Sequence, residues 1–359
     1  MSKNLLAWAG LILVGAVVTY LAFYTNLFQK PGAAPDGDIP YGFFEGSASF
    51  ANSLTSKGQL AAVGSIVARQ TVPPENLAAA KENLGAALVN IICASKSAGV
   101  PSISGSGVVI GRDGLIITNS HIAQLFLLSD YPTKSNVVCV IRAGSPARTS
   151  YYAELVYLST PWLDTHSTSL VLQNPKGSGQ DDFALLQITR SATAEPLPDA
   201  FAFVPLATNG EPSLKEAVAI GSYGAQTLTA EQIRNALTPT LVLGSVQDVY
   251  TFEKTSVDLL SLGGSDAAQH GSSGGGVVDA KGNVIAVITT SSTEGSLASR
   301  DLRAITADHI RRSFAKDMGV SLDAYLADHT RLTLVSDFAQ RNAELRSLLT
   351  GVLALNTRR

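Results

Sequence analysis

Apolar residues fall along this chain in three rhythms. The first is an unbroken run over residues 5–23, LLAWAGLILVGAVVTYLAF, in which no position is charged. At 1.5 Å of rise per residue a helix over this run reaches roughly 28 Å, about one bilayer hydrocarbon core. The second rhythm is a series of short runs rich in Val, Ile and Leu and separated by Gly, Asp and Asn, the pattern of strands joined by tight turns. One set lies at 87–93, 107–110, 115–118, 136–141, 151–158 and 183–188. Another lies at 217–220, 241–250, 255–260, 276–278 and 284–290. The expected fold is therefore mainly β, with two six-stranded antiparallel barrels in series. The third rhythm is helical, at 58–69, at 74–86 where Pro74 suits a first turn, at 229–237 as an insertion, and at 306–314 and 336–355.

These rhythms divide the chain into a cytoplasmic tail (1–4), a transmembrane anchor (5–24), a linker (25–41), an N-terminal helical extension (42–86), a first barrel (87–190), a second barrel (191–305) and a C-terminal helical region (306–359). The linker carries QKPGAAPDGDIP, rich in Pro, Gly and Asp without apolar periodicity. Pro196, Pro198, Pro205 and Pro212 mark an irregular crossing between the barrels. Trp8 at one end of the anchor and Tyr20 with Tyr24 at the other suit the interfaces, and Lys3 favours a cytoplasmic N-terminus with the rest of the chain outside. A cleaved signal peptide is the alternative, but its apolar core would be long and no clean A-x-A site follows.

Composition narrows the function. Hydrophobic residues make up 45% and charged residues 15%, enough to bury sizeable cores. The net charge of −3 and scattered Lys and Arg leave no basic stripe, which argues against nucleic acid as a partner. Cys93 and Cys139 are the two cysteines. Outside the cytoplasm they are candidates for one disulfide, with free buried thiols as the alternative. Neither has His or Cys neighbours at ligand spacing, so no metal site is expected, and no cofactor is implied.

Amide hydrolysis near neutral pH needs a nucleophile, a base, a group to orient that base and donors for the oxyanion. Gly271-Ser272-Ser273-Gly274-Gly275 sets Ser273 in a glycine-rich turn where the N–H groups of Gly271 and Ser273 can converge on one oxygen. Ser104-Gly105-Ser106-Gly107 leads through Val108-Val109-Ile110 and the turn Arg112-Asp113-Gly114 to Leu115-Ile116-Ile117-Thr118-Asn119-Ser120-His121, which delivers His121 at a strand end. Asp181-Asp182-Phe183-Ala184-Leu185-Leu186 puts a carboxylate directly before an apolar strand.

These three segments, in this order, resemble the trypsin-like serine peptidases of chymotrypsin-like fold, particularly the high-temperature-requirement branch. The resemblance covers roughly 87–305, and no PDZ-like module follows. It implies His121 as general base, Asp182 as orienting carboxylate with Asp181 as its rival, and Ser273 as nucleophile, with oxyanion donors on Gly271 and Ser273. It also implies that Thr289, Thr290 and Ser291 line the substrate pocket. His270, three residues before Ser273, stands where other residues are commoner in that branch and is a further candidate for touching substrate. With no acidic residue at the trypsin-type pocket position, small or medium apolar substrate side chains are expected. His166, His309 and His329 read as solvent-facing or locally bonded. The implied activity is a membrane-anchored, extracytoplasmic serine endopeptidase acting on polypeptides; the sequence leaves its oligomeric state unassigned. Two competing readings are a catalytically silent peptide-binding scaffold and an esterase built on Gly271-x-Ser273-x-Gly275, with Asp301 and His309 as later partners.

Overall fold

Leu88–Ser95 (β2) is apolar at most positions and buried along its whole length, as expected of a strand covered on both faces. It continues directly from the helix Leu77–Ala87 (α1), whose start is fixed by the Asn76 side chain accepting the Ala79 N–H at 3.1 Å. The structure, a computed structural model, describes residues 39–40, 76–97, 99–172, 176–252, 256–291 and 296–356. The expected anchor at 5–24 and the helix at 58–69 lie outside these residues. Among the described residues no helix is long and apolar enough to cross a membrane.

β2 opens a closed antiparallel barrel with Ile103–Val109 (β3), Leu115–Thr118 (β4), Val137–Ala143 (β5), Arg148–Leu158 (β6) and Ala184–Ser191 (β8), in the order β2-β3-β4-β8-β6-β5. Each of the six matches an expected run. Closure leaves no unpaired edge, so apolar strands are safe from pairing with other chains. Cys93 stands opposite Cys139 across the β2–β5 pair, and the two form a disulfide. The segment between β6 and β8 holds the helix Thr160–His166 (α3) and the short strand Lys176–Gly177 (β7), which pairs with Ile39–Pro40 (β1).

The second unit differs from the expected closed six-stranded barrel. It is a seven-stranded sheet of Ala217–Ser222 (β9), Thr240–Ser245 (β10), Asp248–Tyr250 (β11), Leu259–Ser261 (β12), Gly276–Val278 (β13), Val284–Ser291 (β14) and Leu302–Thr306 (β15), ordered β10-β9-β13-β14-β15-β12-β11. The run at 241–250 divides because Val246 and Gln247 change partners. Val246 N–H bonds to the Glu216 carbonyl, while Gln247 N–H bonds to that of Ser261. The chain thereby passes from one edge of the sheet to the other and curls it without completing a ladder. The strand expected at 255–260 is confined to its end, because Asp258 uses its side chain to accept from Phe252 N–H (2.7 Å), Thr251 and Ser256 in a tight turn. β15 was not expected. Its five residues run straight into a helix whose N-cap, Thr306, also ends the strand, so neither period is sustained.

The insertion expected at 229–237 is the helix Ala230–Ala236 (α4), started by a capping box of Thr229 and Gln232. Among the described residues three helices follow β15: Ala307–Met318 (α5), Leu322–Ala327 (α6) and Arg331–Asn356 (α7). α7 turns back to the first barrel, burying Leu334, Phe338, Leu345, Leu349 and Leu353 along one face. The Asp317 carboxylate ties it down, accepting from Tyr157 Oη at 2.9 Å and from Arg341.

Candidate active site

β4 ends at Thr118, and the chain turns into a single helical turn, Ser120–Ala123 (α2). The turn is locked to the loop before β8 by side chains rather than by a conventional cap. Asn119 Nδ2 donates to the Asp182 carbonyl at 2.7 Å and Ser120 Oγ to the Phe183 carbonyl at 2.6 Å. These bonds bring His121 onto the Asp182 carboxylate. His121 Nδ1 lies 2.8 Å from Oδ2, and its backbone N–H donates to Oδ1 at 3.0 Å. Both side chains are fully buried.

Ser273 comes from the other unit, in the turn before β13. Ser106, on β3, holds that turn across the interface. Its N–H donates to the Ser273 carbonyl and its Oγ to the Gly271 carbonyl, each at 2.8 Å, while Oγ accepts the Tyr223 N–H at 2.8 Å. Gly274, at φ +84°, admits no side chain, because a Cβ there would sit 2.0 Å from the Ser106 carbonyl oxygen. Gly271 is likewise left-handed (φ +92°). The His270 carbonyl accepts from Ala225 N–H at 2.8 Å, so the trans peptide directs the Gly271 N–H the opposite way.

Thr289 joins the two halves. Its Oγ1 donates to Asp182 Oδ2 at 2.7 Å, and its carbonyl accepts from Ser273 Oγ at 3.3 Å. The family resemblance implies Thr289 as a substrate contact; its side chain is fully buried and serves the carboxylate. Thr290 and Ser291 continue β14 by backbone pairing to Arg303 and Leu302. His121, Asp182, Ser273 and Thr289 are thus brought to one place. Ser106 and Asn119 belong there too, and the only hint of them in the sequence is their place within the motifs.

Asp181 faces away from His121. It adopts a left-handed conformation (φ 56°) and meets His309 Nε2 on α5 at 2.9 Å. The other ring nitrogen of His309 faces Asp258 at 3.2 Å, where Arg312 also binds. His309 is therefore a buried bridge rather than a solvent-facing residue. Burial alone would raise the Asp181 pKa; the hydrogen bonds from His309 and Ser313 and the charges of His309 and Lys316 outweigh it and hold the carboxyl below its ordinary value. Asp301, the other partner in the esterase alternative, is taken by Ser261 and Arg303, and a strand follows Ser273 where an esterase elbow needs a helix. His270 is half-buried, and burial and the Arg300 charge lower its pKa, which keeps it neutral near pH 7. His166 stacks on Trp162, and His329 pairs with Asp337 at 2.6 Å. Among the described residues no cluster suits a metal ion.

A family model described as a trypsin-like peptidase domain matches residues 105–287, just over half of the chain, and spans His121, Asp182 and Ser273. No curated protein matches the chain.

Proposed function

This chain belongs to the trypsin-like peptidase family, and from that premise we propose that it is a serine endopeptidase whose triad is His121, Asp182 and Ser273. The observation that carries the reading is the buried His121–Asp182 pair at 2.8 Å, joined through Thr289 to the Ser273 hydroxyl. Asp182 accepts three hydrogen bonds around one imidazole, which fixes its tautomer with Nδ1 protonated and leaves Nε2 to act as base. In the reaction the Ser273 hydroxyl turns from the Thr289 carbonyl toward the imidazole, attacks a peptide carbonyl and passes its proton to His121. The Gly271 and Ser273 N–H groups receive the oxyanion, His121 returns the proton to the leaving amine, and water hydrolyses the acyl-enzyme.

The same proposal places the peptidase outside the cytoplasm, anchored through 5–24. The uncharged run at 5–23 with Lys3 before it supports this placement, and so does a disulfide of a kind rare in reducing compartments. The test is digestion of an unfolded protein by the detergent-solubilised full chain. New peptides with wild type and none with Ser273→Ala support the reading; equal digestion by the two proteins contradicts it. Sedimentation with membranes that resists carbonate washing tests the anchor.

A further inference from the structure

Among the described residues two arginines are buried, and neither has a carboxylate at ion-pair distance. Arg142 spends its donors inside the fold, on Asn90 Oδ1 and on the carbonyls of Ala147, Ile233 and Arg234. Its role is to hold α4 against the first barrel. Arg300, 7% exposed, is different. One terminal nitrogen, Nη1, makes both of its hydrogen bonds, to the Ala268 carbonyl at 2.9 Å and to Gln226 Oε1. Its Nε is buried without a partner, and the hydrogen bonds of Arg300 to described residues all run through Nη1, none through Nη2. Nε and Nη2 form one edge of the guanidinium, and two parallel N–H groups on such an edge match a carboxylate.

Arg300 stands beside the loop that carries the nucleophile. Ala268, which it binds, lies five residues before Ser273, and its charge reaches the His270 ring between them. Beyond Arg300 the chain enters β15, where Leu302 pairs with Ser291, two positions past Thr289. The segments 267–273, 289–291 and 300–302 therefore gather around one place next to Ser273. The fully buried Ala267 and Ala268 contribute only methyl groups to it. Of the acidic groups nearby among the described residues, Asp266 is exposed and Asp301 is engaged by Ser261 and Arg303. Among the described residues Arg300 has no counterion, and a buried cation without one is costly unless a ligand supplies the charge.

We propose that Arg300 determines specificity by receiving the carboxylate of an Asp or Glu side chain on the residue whose carbonyl Ser273 attacks. That residue is indicated because the expected oxyanion donors on Gly271 and Ser273 are joined to the Arg300 contact by only the short stretch 268–270. The inference rests on the peptidase reading and replaces the apolar preference expected from sequence, which considered only the residues just before the nucleophile.

The test uses the full chain in detergent and peptides that differ only at this position, as Glu, Gln, Asp, Leu or Lys, with fluorophosphonate labelling of the serine in parallel. Glu and Asp peptides are expected to exceed Gln and Leu at least tenfold in kcat/KM, with the Glu/Gln ratio declining as salt is raised. Arg300→Leu is expected to bring Glu down to Gln while labelling persists, and Arg300→Lys to keep part of the preference. Should Arg300→Leu fail to fold, the wild-type Glu/Gln ratio decides alone. A wild type that labels but shows a ratio near one, or prefers Leu or Lys, overturns this inference and leaves the peptidase reading intact. A wild type that neither labels nor cleaves overturns both.

Discussion

Ser106→Ala removes a single oxygen from the first barrel, yet the structure ties that oxygen to the loop carrying the nucleophile. The hydroxyl is fully buried, accepts the Tyr223 N–H and donates to the Gly271 carbonyl, both at 2.8 Å. Alanine leaves both backbone groups buried without that partner, and the vacated space is smaller than the ~30 Å³ a water occupies. At about 1–3 kcal/mol for each orphaned group the expected loss is roughly 2–6 kcal/mol, against a typical domain stability of about 5–15 kcal/mol. The Ser106 N–H still holds the Ser273 carbonyl, and the Ser272 N–H and His270 carbonyl keep their bonds to Gln269 and Ala225, so the turn stays docked while the Gly271 carbonyl between them loses its anchor and the adjacent Gly271 N–H can shift from its position. Losing one oxyanion donor outright costs about 10²–10³ in rate, and a displaced donor is expected to cost about tenfold. Denaturant unfolding measures the first effect, and the fluorophosphonate labelling rate of the folded protein measures the second. Ser104→Ala is the control: its hydroxyl, on the same strand, accepts from Asn90 at 3.0 Å, and it should lose stability without slowing labelling. A Ser106→Ala protein within about 0.5 kcal/mol of wild type, the range of substitutions that touch nothing important, refutes the packing argument. Lost stability with an unchanged labelling rate refutes the link to the oxyanion turn.

Three other perturbations probe separate parts of the account. Thr289→Val removes one of the donors to the buried Asp182 carboxylate at nearly constant volume; a loss of about 1.5–3 kcal/mol and slower labelling are expected, measured by urea unfolding and probe kinetics. Replacing Cys93 and Cys139 together with alanine opens a link across 46 residues of sequence, and calorimetry should show about 4 kcal/mol less stability, an effect that reducing agent reproduces in wild type. Because the Asp181 pKa is lower folded than unfolded, the stability it contributes is complete above its unfolded value near 4 and is lost as pH falls through the folded value. Asp181→Asn should therefore be less stable than wild type at pH 7, with the gap closing below about pH 4, and a gap that stays constant with pH would count against the His309 bridge.

The parts of this protein written in contiguous residues were legible in its sequence. All six strands of the first barrel show as apolar runs, and the approach to His121, the carboxylate before β8 and the glycine-rich turn at Ser273 each occupy a single short segment. What escaped depends on contacts between distant residues. Ser106 and Gly271 are 165 positions apart, and Asp181 and His309 are 128 apart; nothing local to either partner announces the other. The choice between Asp181 and Asp182 has the same character, since both precede the same strand and only the partners across space, His309 and His121, distinguish them. β15 was hidden because a strand of five residues passes its last residue to a helix as N-cap, so two periods share one short stretch. Arg300 reads as an ordinary loop arginine until its burial and the Ala268 carbonyl are seen.

The central claim is that Ser273 is a nucleophile activated by the His121–Asp182 pair. Its most direct test is intact-mass measurement of fluorophosphonate adducts on wild type, Ser273→Ala, His121→Ala and Asp182→Asn, followed by peptide mapping. One adduct on wild type, mapped to Ser273, absent from Ser273→Ala and His121→Ala and strongly slowed in Asp182→Asn, is the predicted result. An adduct that persists in Ser273→Ala, or that forms at the wild-type rate in His121→Ala, would contradict it.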